Sequence, residues 1–569
     1  MSDTQAKPAK RGGLAGLKAF ANRKSLCILG LGFSSGLPFM LVFDTLSAWL
    51  REAGLSLEVI GFFSLATLSY SFKFLWAPLI DRTAVPGLTP LLGHRRSWML
   101  VTQALVMLGL WLISSVNPMN NLGLMAAFAV FVGFVSATQD IVIDAWRIEV
   151  SDRDELGATA AANAWGYRGS MIISGAIPLL LATAYNWNVA YAVMAAMMLI
   201  GVVSVIFAPR ESEHRLRPIH AEGVAANPAR ETLEWIVRGL LIVLGALILG
   251  SGLAGDASLV KGLLTSAGQP GAGEALAAAW KGQDWSIFVQ LAGVLVGGVL
   301  IVLAALPAPG RRTRPGVYLG AALGDPLRDF FTRYAGAAGL ILALICVYRV
   351  SDFVLNIMNP FYLDLGFTKP EIAEVRKVFG VAASMGGVAL GGWMVGQIGL
   401  LRTLVVGAFA GPLSNLVFAW LAAQGHSVPA LYVAIGVDNA LGGISGTALI
   451  AYMSSLTGSG FTATQYALFS SLYALPGKII ASQSGRIVEA AAKSAEAGGL
   501  PALFKPMFTS LPAESLTAGA KIGVAPAAMG AGYVTFFFYS ALIGLAGIVL
   551  SFIVAARQPA NPDPATTEA

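Results

Sequence analysis

Fourteen stretches of about 20 or more mostly apolar residues, separated by charged or Pro/Asn/Gly-rich breaks, constrain this 569-residue chain more than anything else in it. They run roughly over 26–50, 57–80, 97–116, 122–146, 157–184, 187–208, 235–254, 285–307, 334–358, 371–397, 401–422, 428–455, 461–481 and 528–556. Each is long enough to cross a hydrocarbon core as a helix, so the reading is an all-α integral membrane protein. Composition agrees, because only 12% of residues are charged, half the share of a soluble domain. The net charge of +6 raises the question of nucleic acid. Placement answers it: with the N-terminus inside, 22 of the 37 Lys and Arg fall on that side and ten on the other. The positive-inside rule then makes both termini cytoplasmic. The basic excess reports topology and contact with anionic lipid, and no nucleic-acid partner is expected.

The first 24 residues are polar and basic, and Ser34, Ser35, Pro38 and Asp44 interrupt the apolar run behind them. A retained first helix is expected rather than a signal peptide. Cys27 and Cys346 sit in apolar segments as small hydrophobes. The four histidines, His94, His214, His220 and His426, are all placed in loops, so no metal site, no catalytic residue and no histidine proton relay is expected.

Weak internal similarity suggests two halves. Ser56 to Ile60 and Thr368 to Ile372 each open an apolar segment with a Ser/Thr cap and an acidic residue, 312 positions apart. Gly157-Ala158-Thr159-Ala160 and Gly460-Phe461-Thr462-Ala463 open another pair, 303 apart. The seventh and eighth segments have no counterpart and are flanked by Arg-rich stretches at 209–234 and 308–333. The expected organisation is a cytoplasmic tail over 1–24, a six-helix half over 25–208, and cytoplasmic linkers with two extra helices over 209–333. A second six-helix half follows over 334–556 with a long outside segment at 482–527, then a cytoplasmic tail over 557–569.

After the second segment the chain reads Pro78-Leu79-Ile80-Asp81-Arg82 and then Gly93-His94-Arg95-Arg96. An Asp-Arg pair and a Gly-x-Arg-Arg cluster in this position resemble the signature of the major facilitator superfamily. Longer strings are more specific: Gly32-Phe33-Ser34-Ser35-Gly36-Leu37-Pro38, Phe72-Lys73-Phe74-Leu75-Trp76-Ala77-Pro78, and Ser136-Ala137-Thr138-Gln139-Asp140-Ile141-Val142-Ile143-Asp144-Ala145-Trp146. Together they resemble the AmpG family of muropeptide permeases, strongly over 25–210 and more weakly beyond. The resemblance implies a major facilitator fold of two six-helix halves plus an inserted hairpin in the bacterial inner membrane. It also implies import of anhydro-muropeptides, GlcNAc-anhydroMurNAc with or without stem peptide, driven by the proton-motive force with no other cofactor. Association with induction of a chromosomal β-lactamase, and hence antibiotic resistance, comes with the family. Where that family carries Glu-Arg-Gly before the fifth helix, this chain has Glu155-Leu156-Gly157, which leaves a gate contact absent or supplied by Arg153.

Ionisable groups in a membrane helix cost about 2.5 to 3.5 kcal/mol on insertion scales, so each needs a partner or a wet cavity. Asp140 and Asp144 share one face of the fourth helix and are the candidate proton sites, Asp140 with Arg168 as an alternative structural counter-ion. Candidate substrate contacts are Ser34, Ser35, Tyr70, Lys73, Gln139, Asp140, Tyr167 and Arg168 in the first half. In the second they are Arg349, Asp352, Asn356, Asp438, Asn439, Gln465, Tyr466 and Lys478. Arg349 and Asp352, at i and i+3, can pair. Asp81, Arg82, Arg95, Arg96, Arg147, Glu149 and Arg402 are the candidate cytoplasmic gate. The Gly386-Gly387 and Gly442-Gly443 runs read as close-packing sites.

The expected partners are muropeptide, protons and lipid, and the expected state is a monomer. Within the transporter class the alternative is an acetyl-CoA-type or other organic-anion carrier. From another class, an intramembrane prenyltransferase would need a second Asp cluster, and Gly443 and Thr447 stand at the repeat-equivalent positions.

Overall fold

The computed structural model describes residues 22–53, 68–152, 155–211, 224, 227–254, 257–281, 286–306, 313–481, 484–508 and 516–558. Among these residues the secondary structure is helical, with no strand. Nine of the described helices are long and apolar enough to cross a membrane, ten if a pair bent by 109° counts as one span. The other expected spans are interrupted or only partly described. The 26–50 segment passes through a π-helical turn at Leu41–Thr45, and residues 54–67 of the second lie outside the described residues. The ninth, expected over 334–358, breaks into Ala338–Val347, a 3-10 stretch at Val350–Ile357, and Met358–Asp364.

The described chain forms two compact units: residues 1–216, 374–410 and 435–468, and residues 217–373, 411–434 and 469–569. In the first, glycines set how closely helices approach. A Cβ at Gly166 would lie 2.0 Å from the Leu29 carbonyl oxygen and one at Gly32 2.3 Å from that of Asn163, so the Arg23–Met40 and Leu156–Ala184 helices meet backbone to backbone. Gly387 likewise lies against the Ala440 carbonyl and Gly443 against that of Ser384, while nothing lies within 4 Å of a Cβ at Gly386 or Gly442. One glycine of each run is therefore the packing residue. Gly166→Val is expected to lower the folded, monodisperse yield in detergent sharply, since overpacking costs about 1 to 3 kcal/mol even where neighbours can shift. Gly169→Val, with open space at its Cβ, is the control.

In the second unit, Gly245 and Gly297 bring the Pro228–Ala254 and Ser286–Ala305 helices into backbone contact. Arg238 closes this hairpin by donating to the carbonyls of Ala304 and Leu306 and, from Nε, to Glu234 at 2.8 Å. The stretch at 308–333, expected to be polar connection, instead holds a 20-residue amphipathic helix, Arg314–Arg333, N-capped by Thr313. Its charged residues are spaced so that Phe330 can bury against Phe469, ring centroids 5.2 Å apart. The long segment expected outside contains a helix, Ser484–Glu496, and a 3-10 stretch, Leu500–Phe508. Both seat on glycines of the last helix: Gly530 faces Phe508 and Gly532 faces Ala492. The capping expected at Thr368 is present, its N–H and hydroxyl both donating to Glu371 at 2.8 Å. Ser56 lies outside the described residues.

Candidate functional site

Two clusters in the first unit gather most of the expected residues. One is built on helix ends. Pro78 starts the short Ala77–Arg82 helix, and Asp81 on its last turn is 1% exposed. Its Oδ1 accepts from Arg95 Nη2 at 2.7 Å and from the Ala463 N–H at 3.2 Å. Its Oδ2 accepts from the N–H and hydroxyl of Thr464 at 2.8 and 2.6 Å. The carboxylate thus sits on the positive end of the Thr462–Ala481 helix while a guanidinium holds its other side. Arg95, fully buried, also donates to both oxygens of Glu149, from Nη2 at 2.6 Å and Nε at 3.1 Å. Asp81 and Arg95 come from the first sequence half and Ala463 and Thr464 from the second, so this ion network joins segments 382 positions apart.

A second join lies beside it. Arg147, also fully buried, donates from Nη2 to Asp144 at 3.3 Å and to the Ser454 hydroxyl at 3.2 Å. Its guanidinium carbon stands 5.6 Å from the Tyr466 ring centroid, and that of Arg82 stands 5.8 Å from the Phe461 ring, cation–π geometry in both cases. Arg96 caps the Leu199–Phe207 helix by donating to the carbonyls of Val205 and Ile206 at 3.2 and 3.0 Å. Arg402 is exposed, on the first turn of the Leu400–Ala408 helix.

The other cluster is centred on Asp140. Asp140 accepts a hydrogen bond from Ser35; Lys73 and Asp144 are the charged groups acting on it. Lys73 is buried and sits in a single 3-10 turn, Lys73–Leu75, between two α-helical pieces. Tyr70 pairs with Ser136 at 2.6 Å, and Trp76 donates to Thr138 at 3.0 Å. Gln103 donates to Ser34 at 2.7 Å and Gln139 to the same hydroxyl at 3.4 Å. Phe39 stands between Tyr70 and Tyr167, 5.3 and 6.3 Å from their ring centroids. Tyr167 and Arg168 are half-buried on the Leu156–Ala184 helix. The result is a carboxylate and an ammonium lined by hydroxyls, amides and aromatic faces.

Of the remaining candidates in the first unit, Gln465, Tyr466 and Asn439 have other partners. Gln465 is buried and accepts from the Gly458 N–H at 2.6 Å, serving the turn before its own helix. Tyr466 lies under Arg147. Tyr466 is therefore placed with the ion network and Gln465 with the turn at Gly458. Asp438 is half-buried, and Asn439 donates to the Ile435 carbonyl of its own helix at 3.0 Å. In the second unit Arg349 and Asp352 pair, Nε to Oδ2 at 2.5 Å. The side chains of Asn356 and Lys478 lie outside the described residues.

Sequence reasoning missed several members. Ala463 and Thr464 open a helix, the feature that makes them donors for Asp81. Their Gly460-Phe461-Thr462 start is visible as a repeat, but its partner is not. His94, expected in a loop, is the first residue of the His94–Ser114 helix; it is buried, with Nε2 2.7 Å from the Ile80 carbonyl. Glu155, without the family's neighbouring arginine, pairs with Lys24 at 2.6 Å; Arg153 lies outside the described residues. Among the described residues there is no group of three or more His, Cys, Asp or Glu placed to hold a metal.

An all-helical chain with two sequence halves joined at a charged helix-end network has the build of a membrane transporter. Residues 28–266 match the Major Facilitator Superfamily. The fold superposes on the proton:xylose symporter XylE with a TM-score of 0.51 at 9% identity, covering 96% of this chain and 97% of that one. A protein of Rickettsia conorii, putative transporter AmpG 4, is 29% identical over 83% of this chain and 91% of its own length. The anhydromuropeptide permease of Escherichia coli K12 is 29% identical over 83% of this chain and 76% of its own. The chain thus has the helical fold of the major facilitator transporters, and over 83% of its length it is similar to proteins named as AmpG transporters and an anhydromuropeptide permease.

Proposed function

We propose that this protein imports anhydro-muropeptides, GlcNAc-anhydroMurNAc with or without stem peptide, across the bacterial inner membrane for peptidoglycan recycling. The observation that carries the substrate is the likeness to the Escherichia coli anhydromuropeptide permease over 83% of this chain. The half-buried Asp140 and Tyr70 with the buried Lys73 and Ser35 support it, since a sugar-peptide presents hydroxyls, amides and carboxylates to be matched. In this reading both termini are cytoplasmic, and the Asp81, Arg95 and Thr464 network is the cytoplasmic gate, closed while substrate enters from the other side. Protons are the coupling ion through Asp140, with Asp144 nearer the gate. The working unit is a lipid-embedded monomer that needs no further cofactor and performs no chemistry on its cargo.

The test is uptake of labelled GlcNAc-anhydroMurNAc-tripeptide into proteoliposomes holding the purified protein, with and without a protonophore. Saturable uptake that collapses with the protonophore is expected. No saturable uptake by a monodisperse preparation rejects the substrate, and protonophore-insensitive uptake rejects the coupling alone.

A further inference from the structure

The Leu199–Phe207 helix ends at Ala208, and the chain then runs Pro209-Arg210-Glu211 toward the inserted hairpin. These residues are held against the start of the His94–Ser114 helix. Trp146 Nε1 donates to the Pro209 carbonyl at 3.2 Å, and Arg210 reaches the Pro90 carbonyl at 3.5 Å. Glu211, 8% exposed, accepts from the backbone N–H of Arg95 at 2.7 Å. The cap residue of that helix, Gly93, has no side chain to offer its orphan N–H groups. Two observations explain the glycine: its φ is +96°, and a Cβ there would lie 2.6 Å from the Glu211 carboxylate. The missing cap is supplied from 116 positions away.

The residue so held is the one whose guanidinium joins Asp81 to Glu149. A carboxylate on a helix N-terminus is favoured by both the free N–H groups and the dipole. Its loss would free the backbone that aims Arg95. We propose that Glu211 is a positioning residue of the gate: it fixes the Arg95 backbone so that the ion network can close, and thereby ties gate closure to the linker leading into the inserted hairpin. Glu211 need never touch the cargo. The inference rests on reading the network as a gate, but not on the identity of the substrate.

The experiment therefore uses no substrate. In the full-length chain carrying Cys27→Ser and Cys346→Ser, a single reporter is placed by Ser455→Cys, next to Ser454 at the second join. A parallel variant carries Ala129→Cys instead, in the buried core of the same unit and away from the gate. Alkylation by a membrane-impermeant maleimide is followed in inside-out vesicles. Glu211→Ala is expected to speed alkylation at position 455 roughly tenfold, the equilibrium equivalent of one charge-assisted hydrogen bond, and to leave position 129 unchanged. Glu211→Gln, which keeps an acceptor oxygen and loses the charge, is expected to fall between. A wild-type rate at 455 in Glu211→Ala overturns the proposal, and so does equal acceleration at both reporters, which marks a loss of general stability. Failure of muropeptide uptake would leave this result standing.

Discussion

Asp81→Asn is expected to reduce uptake by well over tenfold while the protein still purifies as a monodisperse species. The carboxylate is the acceptor for four donors: Arg95 Nη2, the N–H of Ala463, and the N–H and hydroxyl of Thr464. An amide keeps one acceptor oxygen and turns an NH2 toward the donors of the other, so at least two charge-assisted bonds are lost. Each is worth about 1.5 to 3 kcal/mol, and a shift of about 3 kcal/mol moves a two-state equilibrium roughly a hundredfold. Arg95 keeps Glu149, which limits the damage to folding and confines it to the closed gate. A transporter that cannot close this end spends its time open to the cytoplasm, so initial uptake falls even at saturating substrate. Thr464→Val removes only the hydroxyl contact and should cost a small fraction of that effect. If Asp81→Asn transports at the wild-type rate, the network is structural and not a gate.

What could be read from the chain, and what could not, follows from the range of the interactions. Asp81-Arg82 and Gly93-His94-Arg95-Arg96 are contiguous strings, so one side of the ion network is legible. The other side acts mainly through the backbone N–H groups of Ala463 and Thr464, which any residue carries, with the Thr464 hydroxyl adding one side-chain donor. The Arg349–Asp352 pair was visible as an i, i+3 spacing, and it survives although the backbone from Val350 is 3-10 rather than α, because i and i+3 eclipse in that helix too. Gln465 and Tyr466 looked like substrate contacts because polar residues in an apolar span need a reason; the reason is the turn at Gly458 and the guanidinium of Arg147. The Arg314–Arg333 helix was hidden by its charges, which suggested a connection, whereas a helix lying across the direction of its neighbour needs only one apolar stripe. Which glycine of a pair packs is a question of helix rotation, and Gly387 over Gly386 could not be chosen without the partner helix.

Asp140→Asn is expected to abolish concentrative uptake while leaving exchange of labelled for unlabelled substrate. Asp140 is held by Ser35, with the buried Lys73 ammonium as its cationic neighbour and Asp144 one helical turn toward the gate. A carboxylate so placed has two states of different cost. Ionised, it balances Lys73; protonated, it frees that ammonium to meet an anionic group of the cargo. On the proposed reading, proton and substrate then enter and leave the site together, which is what coupling requires. Asparagine holds the site in the protonated-like state permanently, so cargo can still bind and cross but a proton gradient has nothing to act on. For one proton per substrate, a gradient of one pH unit sustains about tenfold accumulation in the wild type, and the variant's ratio should fall to about one. The single change also takes away the negative charge that acts on the buried Lys73 ammonium. The double variant Asp140→Asn with Lys73→Met removes both charges and should recover the folded yield without recovering accumulation. Accumulation driven by a pH gradient in either variant removes Asp140 from the proton path. Loss of exchange as well as accumulation, in the well-folded double variant, would make the pair a substrate site and leave the coupling to another carboxylate.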